Sequence, residues 1–145
     1  MSLDDPRLHR AGYTSKNYAE FVMKLEAMGI RGYTVDVSSQ VCIYRLADNT
    51  TLVDTNNQQK TVFVQKIFDI EKVKNAVIKM DESPYMNPAC GSFYLFLEEV
   101  GEAGVQVIYA DFDAREAFYY GSHNVYSEKI GSCDKWFEKR LSIES

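Results

Sequence analysis

Apolar residues at helical spacing occur in two passages of the chain, and each passage ends at a glycine. The first passage ends at Gly29 and the second at Gly104, 75 positions later. The apolar positions are Tyr18, Phe21, Val22, Leu25 and Met28 in the first passage, and Phe93, Phe96, Leu97, Val100 and Ala103 in the second. This spacing predicts two amphipathic helices, each closed by a glycine in the left-handed conformation.

Alternating apolar and polar residues, which are typical of strands, follow each predicted helix. The predicted strands cover residues 33–37, 41–46 and 61–64 in the first passage, and residues 108–112, 116–120 and 125–130 in the second. A further helix is predicted after each third strand, capped by Asp69 in the first passage and by Ser132 in the second. Their apolar positions are Ile70, Val73, Val77 and Met80, and Trp136, Phe137 and Leu141, respectively.

The order helix–strand–strand–strand–helix is therefore predicted twice. The first copy covers residues 15–80 and the second covers residues 92–143. An irregular arm, residues 1–14, precedes them, and residues 81–91 form a linker that holds two of the three prolines. The similar tripeptides that end the third strands are only 63 positions apart, so the first copy holds twelve extra residues (75 less 63), which we place in the polar loop 47–60.

Neither copy has enough strands or apolar area to be stable by itself. The length of 145 residues suits one compact domain, and 10 tyrosines and 8 phenylalanines supply bulky side chains for its core. We therefore predict an α+β fold, a tandem duplication in which an antiparallel sheet, or two abutting sheets, is covered by helices. The two copies are expected to pair about a pseudo-twofold axis.

Several passages resemble a known family. They are the pattern Phe-x-x-x-Leu-x-x-x-Gly-Ile of residues 21–30 with the Tyr-x-Val-Asp that follows it, residues 102–111 beginning Glu-Ala-Gly-Val, and residues 119–128 beginning Tyr-Tyr-Gly. Over residues 15–130 the chain resembles the YdfO-like family of uncharacterised bacterial and prophage proteins, domain of unknown function 1398. The resemblance implies a duplicated α+β domain, and some relatives carry a phage-envelope label. It implies no established activity, cofactor or catalytic residue.

The charge and the cysteines argue against some classes of function. The formal net charge is −5, and no run of lysine and arginine exceeds two residues, so we expect no nucleic-acid partner. The apolar stretches are too short for a transmembrane helix and no signal peptide is recognisable, so we expect no membrane partner. The three cysteines are widely spaced, which favours free thiols and a cytoplasmic location. Cys90 is either a reactive thiol at a helix start or an ordinary linker cysteine.

Asp36 and Asp111 occupy matched positions near the end of the first strand in each copy. If the copies are related by a twofold axis, the two carboxylates can face each other and share a proton or hold a hard cation. The alternative is that each aspartate accepts backbone N–H bonds in its own turn, and the sequence favours this reading because aspartate beside a turn is common.

Two other groups of residues are candidates for a ligand site. His123, between two strands, can form an acid–base or metal site with Glu128 and Asp111, although an exposed loop histidine is the more common case. Five tyrosines lie on predicted strands, where they either line a groove or pack across strands. They are Tyr44, Tyr109, Tyr119, Tyr120 and Tyr126.

Three classes of function remain open at this stage. We favour a non-enzymatic binding or interaction module that uses the cleft between the two copies to hold a protein or a small molecule. The residues assigned to that groove are Asp36, Tyr44, Asp111, Tyr119, His123 and Glu128. The alternatives are a metal-dependent or acid–base enzyme built on the two aspartates, and a phage-associated protein that assembles with itself, a homodimer included. No catalytic residue, metal ligand or cofactor is assigned.

Overall fold

The computed structural model describes residues 18–54, 61–82 and 91–130, which form three helices and six strands. In chain order the elements are α1 (Tyr18–Ala27), β1 (Ile30–Asp36), β2 (Cys42–Leu46), β3 (Thr51–Asp54), α2 (Ile70–Glu82), α3 (Gly91–Glu102), β4 (Val107–Asp111), β5 (Glu116–Tyr120) and β6 (Val125–Lys129). The predicted arm and last helix, 1–14 and 132–143, and most of the predicted linker 81–91 lie outside the described residues.

The six strands form a single antiparallel sheet in the order β3-β2-β1-β4-β5-β6. The strands of the first half of the chain lie on one side and those of the second half on the other. β1 and β4 join the halves at the centre of the sheet, where Thr34 lies opposite Tyr109. The prediction of an α+β fold built on an antiparallel sheet is confirmed.

The helices cover one face of the sheet, and α2 packs against both α1 and α3. Side chains alternate along β1, so Tyr33 and Val35 are buried under the helices whereas Asp36 is exposed. The fully buried helical residues include Val22, Leu25, Val73, Leu97 and Val100. Among the described side chains, the predicted apolar stripes are correct except at Ile70, which is exposed, while Ala76 is buried. The predicted positions Tyr18, Phe93, Trp136, Phe137 and Leu141 lie outside the described side chains.

The predicted helix boundaries at Gly29, Asp69 and Gly104 depend on local chemistry and are confirmed, whereas the predicted cap Ser132 lies outside the described residues. Gly29 and Gly104 both have positive φ, 88° and 91°, which a glycine adopts without the steric cost of a Cβ atom. Their N–H groups donate to the carbonyl oxygens of Glu26 and Gly101, at 3.0 and 2.9 Å. Asp69 caps α2 as predicted, because its Oδ1 accepts the N–H of Lys72 at 3.2 Å.

The third strand of the first half is not where the sequence pattern placed it. Residues 61–64 are irregular, and the third strand is β3, which pairs with β2 directly after a short turn, Arg45 opposite Thr51. Residues 51–54 belong to the predicted polar loop 47–60, and only residues 47–50 separate β2 from β3. Residues 61–64 have strand-like composition, but their backbone does not bond to a neighbouring strand.

Residues 61–69, here called the strap, run along the end of α3 in the second half of the chain. Gln65 N–H donates to the carbonyl of Gly101 at 2.9 Å, and Asp69 N–H donates to the carbonyl of Ala103 at 2.8 Å. A Cβ atom at Gly101 or at Gly104 would collide with strap carbonyl oxygens. Backbone hydrogen bonds therefore hold the strap against the end of α3. Because Gly101 and Gly104 have no side chain, the two backbone segments can approach closely there.

Candidate functional site

The structure separates the two aspartates that the sequence singled out. Asp36 lies opposite Val107 and Asp111 lies opposite Gly32, so the two carboxylates are at opposite ends of the central strand pair. Four residues of strand separate them, which amounts to about 13 Å. The antiparallel register brings the matched strands together at their centres and therefore separates matched residues at the strand ends. The hypothesis of a facing carboxylate pair is wrong.

Each aspartate instead organises the turn that follows its own strand. Asp36 Oδ2 accepts hydrogen bonds from the backbone N–H, at 3.0 Å, and from the hydroxyl of Ser39. Asp111 Oδ1 accepts the N–H groups of Asp113 and Ala114, at 3.1 and 3.2 Å. These contacts match the alternative reading, in which each side chain satisfies a local turn.

The five candidate tyrosines divide between the two faces of the sheet. Tyr44 and Tyr119 lie under the helices and are fully buried, so they belong to the core and their assignment to a groove is wrong. Tyr126 is on the same face, packed against Tyr119 with ring centroids 6.1 Å apart. Tyr109 and Tyr120 lie on the opposite face, which no helix of the described residues covers. Packing on the helical face of the sheet therefore explains three of the five.

Glu128 and His123 do not form a site together. Glu128 accepts a hydrogen bond from the Tyr126 hydroxyl at 2.6 Å, towards the end of β6. His123 is exposed in the turn that precedes β6. Three residues of strand separate Glu128 from the start of β6, which places the two side chains about 10 Å or more apart.

Two of the six candidates, Asp36 and His123, do line one open cavity of about 650 Å³, here called the polar groove. It lies where the end of β1, the strap, the start of β4 and the β5–β6 turn meet. Its polar lining residues include Asp36, Ser38, Gln65, Lys66, Gln106 and His123. The groove thus combines residues from both halves of the chain, as expected for a cleft between them.

Backbone hydrogen bonds position each wall of the polar groove. Gln106 accepts from Val37 N–H at 2.9 Å and donates its own N–H to the carbonyl of Tyr120 at 2.7 Å. The turn that carries His123 is closed by the N–H of Gly121, which donates to the carbonyl of Asn124 at 2.8 Å. The groove is therefore framed by secondary structure and by the strap, and its shape is largely formed before any ligand binds.

The charges of the polar groove are uncompensated within the described part of the chain. Lys66 and His123 have no hydrogen-bond or ion-pair partner among residues 18–54, 61–82 and 91–130. Asp36 uses Oδ2 for its turn, while its Oδ1 accepts no bond from a described residue. The groove can therefore offer an anionic oxygen and a cationic nitrogen to a ligand.

The sequence of the chain matches the model of a protein family. The model of the family described as "Protein of unknown function (DUF1398)" matches residues 7–129. The chain belongs to the DUF1398 family. This confirms the resemblance to domain of unknown function 1398, and the match takes in all the helices and strands of the described residues. Among curated proteins, none matches the chain in sequence.

Two other kinds of feature are absent from the described residues of this DUF1398 protein. No group of three or more histidine, cysteine or acidic side chains within the described ranges is arranged to hold a metal ion. No described helix is long and apolar enough to cross a membrane. The polar groove thus remains the candidate site. Sequence reasoning missed Gln65 and Lys66 because nothing in the local pattern indicates that the strap folds onto the second half.

Cys42 is expected to be chemically inert while the protein is folded. Burial raises the pKa of its thiol far above the usual range, a hydrogen bond with Tyr44 lowers it, and the Asp54 carboxylate raises it again. Since the thiolate is the reactive form, a chain with Cys90→Ser and Cys133→Ser should not react with a thiol reagent at pH 8. Full labelling is expected in guanidinium chloride. Labelling of the folded chain at the rate of free glutathione would contradict the prediction.

Proposed function

We propose that this DUF1398 protein is a binding module whose polar groove holds a small amphoteric molecule, one that carries both a cationic and an anionic group. The observation that supports this most directly is that Asp36, Lys66 and His123 converge on one groove without charge partners among the described residues. An amine of the ligand would donate a hydrogen bond to Oδ1 of Asp36, and a carboxylate of the ligand would pair with the ammonium group of Lys66.

The location of the groove supports the same proposal. It is formed at the end of the sheet where the two halves meet, and the strap supplies one wall. The N–H groups of Gln65 and Asp69 donate to carbonyl oxygens at the end of α3, so Gln65 and Lys66 are presented from a fixed scaffold. Preorganised polar groups bind a small ligand without a large cost of ordering. The enzyme hypothesis has no comparable support, since its two aspartates are apart.

Thermal unfolding with a panel of amino acids, and with simple amines and carboxylates as singly charged comparisons, tests the proposal. An amphoteric ligand at about 100 times its dissociation constant should raise the melting temperature by roughly 8 °C, because it stabilises the folded state by about 2.7 kcal/mol. The singly charged compounds are expected to give smaller shifts. A panel in which no amphoteric compound shifts the melting temperature would count against the proposal.

Matched variants then locate the bound molecule by calorimetry. Lys66→Gln and Asp36→Asn each remove one charge from the groove, and asparagine can still accept the hydrogen bonds of Ser39 through its Oδ1. Each is expected to weaken binding about tenfold. Lys72→Gln removes an exposed lysine of α2 that does not line the groove and should leave the affinity unchanged. Equal affinities for all variants would place the ligand elsewhere.

We propose further that the two halves of the sheet descend from one duplicated unit. The central pair supports this, because Thr34 lies opposite Tyr109, its counterpart 75 positions later. Gly29 and Gly104, also 75 positions apart, end equivalent helices with nearly the same φ.

We also propose a cytoplasmic location for the protein. The free thiol of Cys42 supports it, because free thiols persist in a reducing compartment.

A further inference from the structure

The face of the sheet opposite the helices, here called the outer face, carries an ordered set of aromatic side chains. Tyr109 stacks on Phe118 with ring centroids 6.1 Å apart, and Phe118 stacks on Tyr120 at 6.2 Å. Arg45 lies over the Tyr109 ring, 5.4 Å from its centroid, and donates Nη2–H to the Tyr109 hydroxyl at 2.8 Å. These contacts fix the surface in advance, which lowers the entropy cost of covering it.

Apolar side chains continue the outer face on both sides of the aromatic rings. Ile43 on one side and Val125 on the other are 38% and 52% exposed, and Tyr120 itself is 40% exposed. No described helix or strand covers them. The residues directly opposite each other in the central row are Val53, Ile43, Thr34, Tyr109, Phe118 and Ser127, from β3 to β6. A row of this composition is typical of a protein interface.

We infer that a second copy of this chain covers the outer face, in a twofold dimer whose axis runs along the strands between β1 and β4. Such an axis places β2 of one copy opposite β5 of the other and exchanges β1 with β4. In the central row, Ile43 then faces Phe118 of the second copy, and Thr34 faces Tyr109. Both contacts occur twice, as symmetry requires.

Charge complementarity favours this arrangement. The charged row of the outer face reads Thr51, Arg45, Gly32, Asp111, Glu116 and Lys129 from β3 to β6. Under the same axis Arg45 faces Glu116 of the second copy, Asp111 faces Gly32, and Lys129 faces Thr51. In this row opposite charges meet twice and no like charges meet, as is typical of complementary interfaces.

The geometry of packed sheets is compatible with these pairs. Facing sheets are separated by about 10 Å and rotated by about 30°. Arg45 and Glu116 lie about 10 Å from the centre of the face, so that rotation displaces them by about 5 Å, within the reach of an arginine side chain. Arg45 keeps donors for a second acceptor, because its guanidinium has several N–H groups and the Tyr109 bond uses one.

The area of the outer face limits the expected affinity of the dimer. Six strands of about five residues give a projected area of roughly 500 Å² per copy, less than the roughly 800 Å² per partner of a standard stable interface. A weak dimer is therefore expected, with a dissociation constant on the order of 10–100 µM.

A nucleic-acid partner fits the outer face less well than a second copy does, because Lys129 is paired with Glu116 at 3.6 Å and acidic groups share the charged row.

Sedimentation equilibrium of the full chain, from roughly 5 µM to 1 mM, tests the dimer. The average mass should rise from that of a monomer towards that of a dimer. Ile43→Glu is expected to abolish the rise, whereas Ile78→Glu, at an exposed apolar position of α2 on the helical side, should leave it unchanged. A monomeric mass at every concentration overturns the proposal, including the case in which residues 131–145 of the same chain cover the outer face.

A charge exchange gives the decisive comparison. Arg45 and Glu116 are three strands apart in one chain, about 14 Å, and cannot pair within it. Arg45→Glu and Glu116→Arg should each weaken association about tenfold, and the double variant should restore it to within about threefold of the natural chain. Circular dichroism and thermal unfolding confirm that each variant is folded. A folded double variant that stays as weak as the single variants overturns the proposed axis.

Discussion

Replacement of Gly104 by alanine is expected to lower the free energy of unfolding by about 3 kcal/mol, the largest effect predicted for a single methyl group in this chain. Two costs add at this position. An alanine at φ 91° pays the penalty of the left-handed region, and its Cβ atom would collide with the carbonyl oxygen of Ile67 and lie 2.8 Å from the Cα atom of Phe68. Both obstacles are backbone atoms of the strap, so they cannot move aside without losing its hydrogen bonds.

Gly29→Ala supplies the matched control for this prediction. Gly29 ends α1 with φ 88°, but no atom lies within 4 Å of the position that its Cβ atom would take. Only the conformational cost remains, which amounts to about 1 kcal/mol. Urea denaturation of the two variants and the natural chain measures the difference. Equal losses at the two glycines would show that the strap does not press on α3.

Leu97→Ala is expected to lower the free energy of unfolding by about 3 kcal/mol, within the usual range for a buried leucine. Leu97 is fully buried on the side of α3 that packs into the core, so its removal leaves a cavity as well as losing apolar contact. Leu95 lies on the same helix, 59% exposed, and Leu95→Ala should change stability by less than about 0.5 kcal/mol. Thermal and urea unfolding of both variants provide the comparison. Similar losses for both would contradict the assigned orientation of α3.

Local chemistry explains which parts of the fold could be predicted from the sequence. Gly29, Gly104 and Asp69 end or begin helices through interactions with residues a few positions away, so these roles can be predicted from the sequence. The alternation along β1, β2, β4 and β5 is equally local, and it predicts those strands closely. The same alternation explains the burial of Tyr44 and Tyr119, which lie on the helical face of their strands together with Cys42 and Ala117.

The errors concern contacts between residues that are distant in sequence. The strap has the composition of a strand, and only its hydrogen bonds to Gly101 and Ala103 show that it belongs to the surface of the second half. The expected meeting of Asp36 with Asp111 depended on the register between β1 and β4, which no local pattern determines. For the same reason the polar groove could be anticipated as a cleft between halves, but its lysine and glutamines could not.

The strap also affects how the protein unfolds. It belongs in sequence to the first half, yet Gln65 and Asp69 donate hydrogen bonds to Gly101 and Ala103 at the end of α3 in the second half. Neither half can open without breaking these bonds and exposing the glycine surface beneath them. Amide hydrogen exchange should therefore report one cooperative opening for β1 and β4 together, and the halves should melt as a single unit instead of as two separable lobes.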